Sequence, residues 1–315
     1  MPTPHLLLTP RLLRTLTVDP ATHPRGQPHL SAASGLVHMN DRCYVVSDDE
    51  HHLGKFKIAG NDPVKLRRLF DGDLPTDPQK RKAAKPDLET LCSLPATPRH
   101  PHGALLALGS GSTAARHTGL VMAFNAQGKL GKGDELVTQR LDLRPLYASL
   151  HTEFADLNIE GCFVDGDVLH LVQRGNQGNP RSACIHLHLP QVQAWILDEE
   201  NTPPVPSRII TIDLGNVDGV HLTPTDACAL PGGNWLLSAV AENTADSVQD
   251  GPSLGSALAI LSPQGNVLQL QRLHAAPKVE GISAELKGNQ VNVLMVTDAD
   301  DPAVASQLLS VTLSP

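Results

Sequence analysis

Short apolar runs separated by turn residues follow one another along the whole chain. In one such unit the run IEGCFV is followed by the turn Asp165-Gly166-Asp167 and then by the run VLHLVQRGN. Asp-Gly, Gly-Gly and Gly-Asn pairs between short apolar runs are typical of β-hairpins. The pattern therefore predicts an all-β protein that is built from consecutive hairpins.

Five of these hairpins begin with the same motif, in which a polar or acidic residue precedes a small residue and then an apolar one. The motifs are Ser34-Gly35-Leu36, Glu89-Thr90-Leu91, Glu160-Gly161-Cys162, Asp226-Ala227-Cys228 and Glu280-Gly281-Ile282. Recurrence of one supersecondary unit at a similar spacing predicts radial repetition. We therefore expect a five-bladed β-propeller, although the longest interval, between the second and third motifs, leaves room for a sixth blade.

Each unit can be extended to a third strand, and the first four units also to a fourth. The fifth unit ends with the chain and lacks its fourth strand, whereas the N-terminal run LLRTLTV precedes the first motif as a surplus strand. Pairing this run with the last blade would close the ring and cover the sheet edges of an open propeller. No linker interrupts the pattern, so we expect one propeller domain over residues 1–315.

The first strand of each blade lines the axis of a propeller, so the five motifs should meet at one mouth of the channel. Four carboxylates and a hydroxyl in one place would repel strongly unless a cation lay among them. Oxygen ligands of irregular geometry suit Ca²⁺. The sequence predicts that these residues hold Ca²⁺ directly or through water. The alternative is a water-filled channel without metal, in which the acids are solvated or share protons. The predicted ligands are Ser34, Glu89, Glu160, Asp226 and Glu280.

Further charged residues should surround the same mouth, because they lie before the motifs or after the second strands. Cations beside a divalent metal would suit a small anionic ligand that bears phosphate or carboxylate groups. Interblade salt bridges are the structural alternative for the same residues. The predicted substrate-binding residues are Lys85, Arg116, Arg174, Arg181 and Lys278, and the candidates for a general base are Asp48, Asp49 and Glu242.

Other motifs are weaker. Ser110 or Ser112 in a Gly-Ser-Gly-Ser loop could be a nucleophile only if a histidine such as His117 lay beside it. Zinc would need a third ligand near the histidine pair at residues 51–52, or near the pair at 186 and 188, and the sequence shows none close by.

Composition excludes several classes of function. The formal net charge is −8, which argues against a nucleic-acid partner, and aromatic residues make up only 3% of the chain. No run approaches the roughly 20 apolar residues of a membrane span. The five cysteines form no CxxC pattern, so we expect buried free thiols and a reducing, cytoplasmic location.

Several motifs resemble those of the calcium-activated nucleotidases, or apyrases. The resemblance rests on one acid or hydroxyl per blade, on the runs WLLSAVAEN and SALAILSPQGNVLQL, and on the motif at residues 278–282. The segment NIEG…LVQRGN with Arg174 and the stretch Lys85-Pro-Asp-Leu-Glu89 are also similar to segments of that family. The resemblance implies a five-bladed propeller with a central Ca²⁺ and the hydrolysis of nucleotides.

The chain also resembles bacterial propeller proteins that have K-P-D-L-E, N-I-E-G, R-G-N and T-D-A-D-D-P motifs, and at fold level phytase-like and lactonase-like propellers. Three hypotheses follow. The first is a metal-dependent phosphoester or phosphoanhydride hydrolase with a small anionic substrate, and the second is a lactonase or esterase that uses the same metal. The third is a non-catalytic propeller that binds a ligand or a protein and contains structural calcium.

Overall fold

The computed structural model describes residues 7–132, 135–247, 251–274 and 278–314. Their strands form five antiparallel sheets. An N-terminal strand β1 spans Arg11–Thr15. Blade one contains β2 (Ala33–Met39), β3 (Arg42–Ser47), β4 (His52–Phe56) and β5 (Lys65–Arg68). Blade two contains β6 (Leu88–Leu94), β7 (Ala104–Gly109), β8 (Thr118–Ala123) and β9 (Thr138–Asp142).

The other three blades repeat this meander. Blade three contains β10 (Ile159–Asp165), β11 (Val168–Gln173), β12 (Ser182–His188) and β13 (Arg208–Ile212). Blade four contains β14 (Asn216–Val217), β15 (Val220–Ala229), β16 (Trp235–Glu242), β17 (Ser253–Leu261) and β18 (Val267–Arg272). Blade five contains β19 (Val279–Lys287), β20 (Gln290–Thr297) and β21 (Gln307–Leu313).

Short helices connect some of these strands. They are α1 (Pro78–Ala84), α2 (Arg144–Leu150) and α3 (Leu189–Ile196). The start of α1 follows from its sequence, because Asp77 accepts a hydrogen bond from the Lys80 N–H and a proline occupies the first turn. The helix brings Lys82 to the mouth of the propeller, and Lys85 follows directly after its end.

The five sheets close into a ring. Their inner strands contact each other in the cyclic order β2, β6, β10, β15, β19 and back to β2. An apolar layer fills each gap between adjacent blades; the layer between blades five and one contains Leu36, Val45, Val296 and Leu308. Burial of these five layers is the main force that holds the blades together.

The predicted closure of the ring is confirmed. Strand β1 pairs antiparallel with β21, where Arg11 is opposite Ser310 and Thr15 is opposite Gln307. The last blade thus consists of three C-terminal strands and one N-terminal strand. The five-bladed arrangement is also confirmed, since the described residues of the long interval after the second motif form only the strands of blade two and short helices.

Small residues at the inner strands allow the blades to approach closely at the axis. A Cβ atom on Gly281 would lie 2.0 Å from the carbonyl oxygen of Ser34 in the next blade.

We expect Gly281→Ala to lower the free energy of unfolding by about 1–3 kcal/mol, because the clash involves backbone that cannot move aside. Denaturant unfolding would measure it. Glu285→Ala, at an exposed position of the same strand, is the matched control and should change stability little; an equal loss in both variants would contradict the close-approach argument.

Candidate functional site

A β-bulge marks the start of the inner strand in every blade. Between β6 and β7, Leu88 is opposite Gly109 and Thr90 is opposite Leu108, so Glu89 is the extra residue. The extra residue is Glu160 in blade three and Glu280 in blade five, and in blade one the shift falls at Ser34-Gly35. Bulges turn a side chain away from the pleat of the strand. Here they direct these side chains toward a cavity at the axial mouth.

The register corrects the fourth motif. In blade four the extra residue is Thr225, and Asp226 occupies the position that Gly161 and Gly281 have in their blades. The Asp226 carboxylate accepts hydrogen bonds from the backbone N–H groups of Ala227 and Ile282, both at 2.8 Å. Thr225 donates to the carbonyl oxygen of Val279. Asp226 therefore does not line the cavity with the other four predicted ligands, and blade four contributes Glu242 to it instead.

The cavity at the axial mouth has more acidic than basic side chains. Among the described residues, nine acidic and five basic ones line it, together with Ser34 and several amide side chains. An excess of buried carboxylates favours uptake of protons or of a cation. The acidic residues are Asp48, Asp87, Glu89, Glu160, Glu242, Asp246, Glu280, Asp298 and Asp300, and the basic ones are Lys82, Lys85, Arg116, Arg174 and Lys278.

Lys85 is the centre of the first charge cluster in this cavity. Its Nζ contacts Asp48, and it lies 2.9 Å from Asp87 Oδ1 and 3.4 Å from Asp49 Oδ1. Burial alone would lower the pKa of Lys85, but the three aspartates outweigh it and raise that pKa well above its usual value. Lys85 thus remains an ammonium ion.

Arg174 and Lys278 form a second charge cluster across blades three, four and five. Arg174 contacts Glu160 at 3.2 Å and also Glu242, while Lys278 lies 3.0 Å from Glu280 Oε1 and 2.9 Å from Asp300 Oδ1. Burial opposes ionisation of Glu242, but Arg174 and Lys278 outweigh it and hold its pKa below the usual value. These side-chain cations offset much of the repulsion that the sequence assigned to a metal alone.

Some oxygen atoms of the mouth remain without a donor. Glu280 Oε2 and Asp48 Oδ1 are buried and have no hydrogen-bond partner among the described residues. Both known donors to Glu160, Asn158 and Arg174, use Oε1. In the part of the chain that the structure describes, no hydrogen bond or ion pair involves the side chain of Glu89. The three glutamates of the bulges thus each keep an acceptor for a ligand.

Burial raises the pKa of those carboxyl groups whose negative charge is not fully offset by nearby basic side chains. Burial raises the pKa of Asp48 to about 8 despite the opposing effect of Lys85, and burial also raises that of Glu280 to about 8. Burial, with Asp87 and Glu160 nearby, raises the pKa of Glu89 well above its usual value. The raised pKa values thus reflect burial and the closeness of other carboxylates at the mouth.

The three candidate bases differ in their surroundings. Asp48 lines the cavity and keeps one oxygen without a partner. Asp49 does not line it; its carboxylate lies against Arg81 and Lys85 in a neighbouring depression. Both oxygens of Glu242 are bonded, one to Arg174 and the other to the Gly251 N–H. Asp48 is therefore the best placed of the three for proton transfer.

Only some of the predicted substrate-binding residues line the cavity. Lys85, Arg116, Arg174 and Lys278 line the cavity. Arg181 lies apart from it: its NH1 donates to the Glu153 carbonyl oxygen at 2.9 Å, and its guanidinium lies 4.7 Å from the centre of the Phe154 ring. Arg116 uses NH1 for both its hydrogen bond to Ser112 and its ion pair with Asp87.

The serine loop contains no nucleophile–histidine pair. Ser110 donates to Asp87 Oδ2 at 2.6 Å, and His117 Nε2 lies 3.1 Å from the carbonyl oxygen of Gly111. Among the described residues, neither histidine pair belongs as a pair to a group of metal-binding side chains. The ring of His51 lies 3.1 Å from the Gly72 carbonyl oxygen, and His188 is exposed.

Asp87 is the most important residue that the sequence analysis missed. Its backbone has a positive φ of 54°, an uncommon conformation for a residue with a side chain. This conformation lets one carboxylate contact Lys85, Arg116 and Ser110. The K-P-D-L-E motif contains Asp87, but only the fold shows that the three partners surround it.

Comparisons with known proteins show the fold and a family. An α-L-arabinofuranosidase of Podospora anserina is 11% identical, with coverage of 98% of both chains and a TM-score of 0.53. A β-fructofuranosidase of Bombyx mori is 12% identical over 89% of this chain and 60% of that chain, with a TM-score of 0.44. A gluconolactonase of Xanthomonas campestris is 9% identical over 98% and 97%, with a TM-score of 0.41.

At these identities the likeness to the arabinofuranosidase shows the propeller fold alone, and the two lower scores add nothing to it. No curated protein matches the chain significantly. A model of the family described as "Family of unknown function (DUF6929)" matches residues 29–313. None of the described helices is long and apolar enough to cross a membrane. The resemblance to nucleotidases remains an expectation.

Loss of Arg174 would leave two buried carboxylates, Glu160 and Glu242, without their shared cation. We expect Arg174→Met, which keeps much of the side-chain volume, to cost about 3–5 kcal/mol of stability. Denaturant unfolding would measure the loss. Arg144→Met is the matched control, because Arg144 pairs with Asp142 in full solvent and its removal should leave the free energy of unfolding unchanged within error. Equal effects in both variants would show that the cluster at the mouth contributes no more than a surface pair.

Proposed function

The chain belongs to the DUF6929 family, and we propose that this member is a calcium-dependent hydrolase whose axial mouth acts on a small phosphate-bearing substrate. The observation that supports the proposal is the set of unbonded carboxylate oxygens that the bulges direct into one acidic cavity. A cation there would satisfy acceptors that the protein leaves open. It would also halve the formal excess of negative charge in the cavity and so ease the entry of an anionic substrate.

The residues present fit such an ion. Ser34, Glu89, Glu160 and Glu280 would hold it, and all four supply oxygen atoms, which Ca²⁺ prefers. Among the described residues, the three glutamates do not form a group with ligand atoms all within 4.8 Å of one another, whereas Glu89 forms such a group with Asp48 and Asp87. We therefore expect water to complete part of the coordination, as Ca²⁺ accepts readily. When bound, the ion would polarise a phosphoryl oxygen.

The chain's own residues would bind the substrate and move a proton. Arg116 lines the cavity with its NH1 edge held by Asp87 and Ser112, so its planar guanidinium is already oriented toward one side of the pocket. Such an oriented guanidinium suits phosphoryl oxygens, which accept paired hydrogen bonds. Asp48 lines the cavity and keeps one oxygen without a hydrogen-bond partner among the described residues, so it would transfer the proton at the reacting oxygen by general acid–base catalysis.

The calcium proposal predicts a specific pattern of binding. Protein stripped with chelator should take up one Ca²⁺, measured by isothermal titration calorimetry, and its melting temperature should rise, because an ion that binds only the folded state stabilises it. Glu89→Gln should weaken Ca²⁺ binding at least tenfold, since it removes an uncompensated charge from the cavity. Mg²⁺ should bind more weakly, because it demands a smaller and more regular site.

Glu199→Gln is the control, since Glu199 is an exposed acid outside the cavity and its loss should leave binding unchanged. If wild-type protein binds no Ca²⁺, or if Glu89→Gln binds it as tightly as wild type, the metal part of the proposal is wrong.

The catalytic part is tested with a substrate panel in the presence and absence of Ca²⁺. Nucleoside di- and triphosphates, sugar phosphates, p-nitrophenyl phosphate and lactones should be assayed for turnover. We expect Ca²⁺-dependent release of phosphate from at least one phosphate ester or anhydride. Asp48→Asn should lower kcat by about 10²–10⁴-fold, the usual contribution of a general acid, while Ca²⁺ still binds. Turnover of lactones alone would favour the esterase hypothesis, and Ca²⁺ binding without any turnover would favour a non-catalytic module.

A further inference from the structure

A second cluster of metal-binding side chains lies between blades three and four, away from the axial mouth. His170 on β11 is directly opposite His186 on β12. Cys184 lies two residues before His186, on the same face of β12. One ligand atom from each of the three lies within 4.8 Å of the other two. His186 shares a strand face with His188, but its cross-strand partner is His170, which is far from it in sequence.

The distances between these atoms suit a small thiophilic ion. Metal–sulfur and metal–nitrogen bonds of about 2.3 and 2.0 Å place ligand atoms roughly 3.5 Å apart. Cys184 Sγ and His170 Nδ1 are separated by 3.5 Å. His186 Nε2 is shielded from solvent and has no hydrogen-bond partner among the described residues. Small rotations of the side chains would bring all three donors around one ion.

The surroundings are apolar and aromatic. The His170 ring stacks on Phe163 at 4.3 Å, and Trp235 of blade four lies 5.9 Å from His170 and 6.3 Å from His186. Cys184 is fully buried in the same apolar layer as Phe163 and Trp235. A net charge in such a place is costly, and Arg208, which is paired opposite His186, adds positive charge nearby.

We propose that His170, Cys184 and His186 form a binding site for Cu⁺. A thiolate and two neutral imidazoles are ligands that suit this ion, and the thiol proton that it displaces passes to solvent. Cu⁺ with one thiolate has no net charge, whereas Zn²⁺ with one thiolate would leave a buried positive charge. Zn²⁺ also requires four ligands, and among the described residues the cluster offers three.

The test measures metal binding by purified protein under anaerobic conditions. Cu⁺ is supplied as its complex with a competing chelator, and Zn²⁺ is supplied in a parallel titration against a zinc-binding dye. Each ion is added both to the folded protein and during refolding, so that slow entry into the buried site cannot hide binding. Metal content after desalting gives the stoichiometry, and near-ultraviolet copper–thiolate absorption reports on coordination by sulfur.

We expect wild-type protein to bind one equivalent of Cu⁺ with copper–thiolate absorption. Cys184→Ser should lose that absorption, and both Cys184→Ser and His186→Asn should bind Cu⁺ at least tenfold more weakly. Cys43→Ser is the matched control, because Cys43 is an equally buried free thiol that belongs to no group of metal-binding side chains among the described residues. It should behave as wild type. Circular dichroism verifies that each variant is folded, and His186, which is only partly buried, provides a variant with little packing to lose.

Three results would overturn the proposal. The first is no binding of Cu⁺ by wild-type protein under either mode of addition. The second is unchanged binding by folded Cys184→Ser and His186→Asn. The third is a preference for Zn²⁺ over Cu⁺, which would contradict the argument from charge. Because these residues do not line the axial cavity, the outcome is independent of calcium binding at the mouth.

Discussion

The compensation of buried charge on the propeller axis is the constraint on which the rest of this structure depends. Ring closure brings acidic side chains from every blade to one mouth, where burial makes each unpaired charge expensive. Lys85, Arg174 and Lys278 each contact carboxylates from more than one blade or loop. These cations hold the inner strands together electrostatically while the apolar layers between blades supply most of the cohesion.

The basic side chains do not pair with every carboxylate oxygen at the mouth. The unpaired oxygens are the ones that could accept a ligand. If every carboxylate were paired, the mouth would be a structural ion-pair network with no room for a ligand. Instead the bulge glutamates and Asp48 keep acceptor oxygens without donors, and the pKa values of several of these acids are raised. Groups whose pKa values are shifted by burial in a cleft are typical of functional sites. A cation, a proton or a substrate hydroxyl could use the same acceptors.

The same fold separates two kinds of binding chemistry. At the mouth the side-chain donors are hard oxygen atoms in a polar, charged cavity, whereas between blades three and four the cluster offers sulfur and nitrogen atoms in an aromatic layer. A propeller permits this because the two ends of its strands and the interfaces between its blades are different environments. Likeness to glycosidases of the same architecture therefore says nothing about which chemistry this chain performs.

The sequence by itself determined the hairpins, favoured five blades over six and predicted the closure by β1, because turn residues and alternating apolar positions act locally. It also indicated that Ser34, Glu89, Glu160 and Glu280 would share one mouth, since equivalent positions of a radial repeat meet at the axis. Only the tertiary structure decided that Thr225, and not Asp226, occupies the bulge of blade four, because a shift of one residue in strand pairing leaves no trace in composition. It likewise decided which carboxylates Lys85 and Arg174 neutralise, that Arg181 lies apart on Phe154, and that His170 meets Cys184 and His186. Those contacts join residues distant along the chain, and their geometry exists only once the blades have packed.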